Sequence, residues 1–218
     1  MASTGFTFAG TGADNSTGPF SGTGWTNPSN VTADDGSNAT IAIPSTSTGL
    51  FGGTYGLSVP SGATIDGVEV RYRRFLSGGM GSASSIHHRL SVGGTATSDA
   101  THDNTTGWAS SEEAITFGSS TDLWGEAGLT STICNAAGFG FIIDVSTGGM
   151  FGQAEVDSME INVYYTAAAA YDPANMDWDN ADEAAERIAQ DSAQITPMVP
   201  MDRYLLPFPT KRYFLMAA

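Results

Sequence analysis

The stretch LSVPSGATIDGVEVRY, Leu57 to Tyr72, decides the fold. It reads as a short strand, a tight turn and a longer strand, with Pro60, Gly62 and Gly67 at turn or bulge positions. Val68, Val70 and Tyr72 alternate with Glu69 and Arg71. A period of two marks a strand with one buried face and one wet face.

The same grammar continues outward. Strands are predicted near Asn38–Pro44, Thr54–Val59, Thr64–Leu76, Ile86–Val92, Glu112–Phe117, Gly138–Val145 and Ala154–Tyr165. Phe139, Phe141, Ile143 and Val145 share one face, as do Met159, Ile161, Val163 and Tyr165. The loop STGGMFGQ between these two strands reads as a hairpin connection. Short alternating strands without intervening helical periodicity predict an all-β fold, an antiparallel, jelly-roll-like β-sandwich.

The sandwich is expected over residues 25–166, beginning at Gly24-Trp25. Residues 1–24 are small and polar, with Phe6, Phe8 and Phe20 as large apolar groups, and read as either a flexible arm or an edge strand. Composition changes again over residues 167–218. Asn180 with Glu183 makes a capping box ahead of a short helix over Ala181–Ser192, whose apolar face is too small to hold it unaided. Beyond it Pro197, Pro200, Pro207 and Pro209 favour extended chain. This segment is nevertheless apolar and is read as an anchor through Trp178, Ile188, Tyr204, Leu205, Leu206, Phe208, Tyr213, Phe214 and Leu215. Each large side chain fully buried there would contribute about 1.5–3 kcal/mol before ordering costs.

Charge narrows the partners. The 218 residues carry 23 acidic and 8 basic side chains, a formal charge of −15, which argues against nucleic acid and against an anionic membrane surface. No apolar run approaches the roughly 20 residues of a membrane-spanning helix. The N-terminus MASTGFTFAG lacks a basic region followed by an apolar run, so the expectation is synthesis in a cytoplasm without an export signal. Cys134 is the single cysteine, which excludes an intrachain disulfide and a thiolate metal cluster. Lys211 is the sole lysine, which excludes a Lys–Asn isopeptide bond within the sandwich.

Five pieces carry a resemblance: WTNPSNVTADDGSNAT from Trp25, YGLSVPSGATIDGVEVRYRR from Tyr55, FGSSTDLWG from Phe117, LTSTICNAAGFGFII from Leu129 and AEVDSMEINVYY from Ala154. In this order they resemble a β-sandwich domain recurrent in tailed-phage structural proteins and some bacterial surface proteins. The resemblance implies a non-enzymatic virion or surface role and supplies no ligand set. The expectation drawn from it is an accessory structural protein of a tailed bacteriophage, a head decoration or head fibre. Its partners would be capsid, collar or tail proteins, and it would form an oligomer, a trimer in the simplest case. The alternative is a carbohydrate- or receptor-binding module of a phage tail or bacterial surface.

Candidate chemistry is sparse. His87 and His88 would face opposite ways on a strand and so share no metal; His88 is read as a hydrogen-bonded, half-buried residue. Asp34-Asp35-Gly36-Ser37-Asn38 offers oxygens for calcium but lacks the EF-hand spacing, and an Asx turn explains it more simply. Glu112 and Glu113, as strand neighbours, make a poor acid–base pair. No nucleophile elbow, HExxH or P-loop motif is present. Catalytic, metal and cofactor sites are therefore all expected to be none. Trp25 and Trp124 are read as core plugs, and Trp108, in TTGWASS, as the surface aromatic suited to a glycan contact.

Overall fold

A computed structural model describes residues 1–169. The expected helix and every anchor residue from Trp178 to Leu215 lie outside the described residues.

Among the described residues eleven strands form two antiparallel sheets. In chain order they are β1 (Ala2–Ser3), β2 (Thr7–Phe8), β3 (Thr11–Asn15), β4 (Ala39–Ala42), β5 (Gly49–Gly53), β6 (Thr64–Ser77), β7 (Gly81–Val92), β8 (Thr95–Ala96), β9 (Glu113–Gly118), β10 (Gly140–Gly149) and β11 (Gln153–Thr166). One helical turn, α1 (Ser131–Cys134), is capped by the Thr130 side chain.

β11 is the spine of the six-stranded sheet. It pairs with β6 from Gln153 opposite Ser77 to Thr166 opposite Thr64, and β9 lies on the far side of β6. Along its other edge β1, β2 and β4 sit end to end, with Tyr165 opposite Ala2, Glu160 opposite Phe8 and Val156 opposite Ala39. The second sheet has the order β3-β5-β10-β7-β8.

The alternating residues predicted to face inward do so. Val68, Val70 and Tyr72 of β6, Met159, Ile161 and Val163 of β11, and Phe141, Ile143 and Val145 of β10 are all fully buried in one core. Gly67 sits where the β6–β11 register slips, between the pairs Tyr164–Gly67 and Tyr165–Ile65. A Cβ there would lie 2.4 Å from the Ser119 carbonyl oxygen, so only glycine lets the loop after β9 close onto the strand.

Of the two readings of residues 1–24, the edge strand is the one present: β1 and β2 extend the six-stranded sheet, β3 edges the other, and Phe20 is buried. Three expectations need correction. The strand expected over Thr54–Val59 lies earlier, at Gly49–Gly53, because GLFGG is glycine-rich and its small residues admit β10 closely. β10 and β11 are not a hairpin; they belong to different sheets, and Met150–Gly152 crosses between them. His88 is fully buried, because it faces the inter-sheet core beside Tyr72 and Phe117.

Candidate functional site

Two crossings between the sheets, Gly78–Met80 and Met150–Gly152, meet at one end of the sandwich, where the Met150 amide donates to the Met80 carbonyl at 3.2 Å. Met80, Met150 and Phe151 stand 59 %, 75 % and 52 % exposed there. β11 leaves this tip at Gln153 and ends beside β1 at Thr166, roughly 40 Å away at the rise of an extended strand. The N-terminus and the exit of the described chain therefore share the end opposite the apolar tip.

The outer face of the six-stranded sheet is a mixed aromatic and polar surface. Phe8 is 41 % exposed and its partner Glu160 lies across the strand pair. Phe6, two residues earlier, lies under Arg71, whose guanidinium carbon is 4.2 Å from the ring centroid. Arg71 also donates twice to Glu160, at 3.0 and 2.6 Å, and this bonding stabilises its charged form. Further along, the Tyr164 hydroxyl donates to Glu69 at 2.9 Å. Strand parity places Glu69, Arg71 and Arg73 of β6 on the same side as Glu160 and Tyr164 of β11.

The next part of this face is acidic. A β-bulge between Val156 and Met159 keeps both of those apolar residues in the core and sets Asp157 beside Asp34 and Glu112. Asp157 has no exposed surface; burial, then the neighbouring Asp34 carboxyl, pushes it up to about 6. The Asx turn expected at Asp35 is present, with its carboxylate accepting from the Ser37 amide.

Trp108 does not offer a surface. It is 7 % exposed and donates its indole N–H to Ser85 Oγ, while the Arg74 guanidinium carbon lies 5.3 Å from its ring. The backbone around it pairs with β7 through Ala83 and Ser84, which turns the indole inward. Ser85 Oγ also meets the Tyr72 hydroxyl at 3.0 Å, and Tyr72 meets His88 Nε2 at 3.0 Å. This hydroxyl–imidazole chain is sealed between the sheets and serves to satisfy buried polar groups. Trp25 and Trp124 are buried as expected. Burial pushes the Cys134 thiol up to about 12, which leaves it inert near neutral pH.

The architecture defines an antiparallel β-sandwich with one polar–aromatic outer face. No protein-family model matches the chain, and no curated protein matches it. Among solved structures it is similar to a xylan-binding module of the type CBM15, at 14 % identity and a TM-score of 0.37, over 73 % of this chain and 95 % of that one. It is also similar to Xylanase10C from Cellvibrio japonicus in complex with xylopentaose, at 15 % identity and a TM-score of 0.33, over 76 % of this chain and 29 % of that one. A third similar structure is the N-terminal cellulose-binding domain of a Cellulomonas fimi β-1,4-glucanase, at 13 % identity and a TM-score of 0.28, over 74 % and 91 %.

Proposed function

We propose that this chain is a non-enzymatic carbohydrate-binding sandwich that works from the outer face of its six-stranded sheet. The observation that carries the reading is the row of Phe8, Phe6 and Tyr164 flanked by Arg71 and Glu69, with Glu160 buried beneath and orienting Arg71. Sugar rings present apolar C–H faces and a girdle of hydroxyls, which match aromatic faces and planar charged groups side by side. Binding would be passive, by stacking and hydrogen bonding.

A screen of the full chain against a panel of immobilised bacterial and plant glycans tests this. A defined glycan subset is expected to bind, and Phe8→Ala to weaken that binding roughly 3- to 10-fold, the value of one aromatic stacking contact. Phe151→Ala, at the distant tip, should leave it unchanged. Failure to bind any glycan, or equal loss from both variants, would contradict the proposal.

A second reading places the sandwich on a tailed-phage particle. It rests on the five resembling pieces, and the shared end of β1 and β11 favours it, because attachment from there leaves the opposite tip pointing outward. The expected result is that a chain truncated after Thr166 keeps its fold and no longer co-sediments with particles lacking the protein. Undiminished co-sedimentation would remove the anchor role of the C-terminal segment.

A further inference from the structure

We propose that Asp34, Glu112 and Asp157 hold a divalent cation, calcium by the character of the ligands. Each residue offers one oxygen, and the three oxygens lie within 4.8 Å of one another. Ligand oxygens about 2.3–2.6 Å from a shared calcium ion fall within such a spacing. The second observation comes from Asp157 itself. Its side chain is fully buried, Oδ1 accepts from the Gly36 amide at 3.0 Å, and Oδ2 is buried with no hydrogen-bond donor among the described residues. A buried carboxylate oxygen without a donor is costly unless a cation or a proton meets it.

Local charge leaves room for a cation. Arg73 approaches Asp34 Oδ2 at 2.8 Å and Glu112 Oε1 at 3.3 Å, so its guanidinium serves two of the three carboxylates. Asp34 and Glu112 are each more than one-third exposed, which gives an ion an entry path and leaves positions for water. An all-oxygen set favours calcium, magnesium or manganese over zinc. Its origin in a loop, a strand end and a bulge suits calcium, which tolerates irregular geometry, better than magnesium, which demands a regular octahedron. The position on the outer sheet face also ties the Asp34 loop to β11, where the Gly36 amide already meets Asp157. The inference is independent of the glycan reading.

The test compares thermal unfolding of the full chain at neutral pH in EDTA and in about 2 mM calcium chloride, a concentration at which weak extracellular-type calcium sites fill. The expected result is a calcium-dependent rise of roughly 1–7 °C in the unfolding midpoint, with a smaller rise in equal magnesium. Asp157→Asn preserves shape and should abolish the calcium increment. Glu112→Gln, at a more exposed position, should weaken calcium binding at least 10-fold by isothermal titration. An unchanged wild-type midpoint with no calorimetric binding would overturn the proposal. Calcium responses in both variants equal to wild type would overturn it too.

Discussion

Trp124→Ala is expected to lower the stability of the sandwich by about 3–5 kcal/mol, the range for emptying a buried aromatic site. Trp124 is fully buried, and its indole N–H donates to the Val68 carbonyl at 2.9 Å. One face stacks on His102 at 3.8 Å between centroids, and an edge contact reaches Phe141 across the core. His102 is held in turn by Asp122 at 2.7 Å, so removing the indole leaves a cavity beside an ordered loop. Thermal unfolding should shift down by roughly 6–20 °C for a domain of this size. Trp124→Phe retains most of the packing and should cost about 1–3 kcal/mol, mainly through the unsatisfied Val68 carbonyl. A loss below about 1 kcal/mol for Trp124→Ala would mean that the loop is not packed as described.

His88 should make the protein sensitive to acid well above the carboxylate range. Burial, followed by the Arg74 guanidinium, pushes its imidazole down to about 3, with Asp103 pulling the other way. The unfolded chain takes up the proton near 6.5, while the folded chain stays neutral to about 3. The stabilisation is therefore fully present above pH 6.5 and is lost as pH falls below it, by up to about 1.4 kcal/mol per pH unit. Asp157 has the opposite slope: its folded value is raised to about 6, so acidification between 6 and 4 relieves it. Comparing wild type with His88→Phe by urea unfolding cancels that term. The difference between them should move by roughly 3 kcal/mol from pH 6.5 to 4, in the direction of wild-type loss. Parallel curves would show that His88 is not buried in neutral form.

Much of the fold was legible because the long strands carry their own signal. Val68, Val70 and Tyr72 alternate as strictly as Ile161 and Val163, and burial selects one parity. The N-terminal segment was legible only as one of two alternatives, arm or edge strand, since β1 and β2 have two residues each and gain stability only from the edge of β11. The β10–β11 misreading has a different origin. Alternation reports which face is buried, and two strands packed across a core look the same as two paired within a sheet.

The site residues were harder still. Trp108 lies among glycine, serine and threonine, and nothing local says that pairing with Ala83 turns it inward. Asp34, Glu112 and Asp157 are far apart in the chain and meet only through sheet registry and one bulge. Phe6 and Phe8 are plainly apolar in the sequence, but their alignment with Arg71 and Glu160 comes only from the β2–β11 register. The C-terminal anchor residues, Trp178 to Leu215, lie outside the described residues.

The most direct test of the binding claim is an amide NMR titration of the isotopically labelled chain with the tightest glycan from the screen. Shift changes are expected to concentrate on Phe6, Phe8, Arg71, Glu160 and Tyr164, along one outer sheet face. Changes confined to Met80, Met150 and Phe151, or to the loops around Trp108, would contradict it.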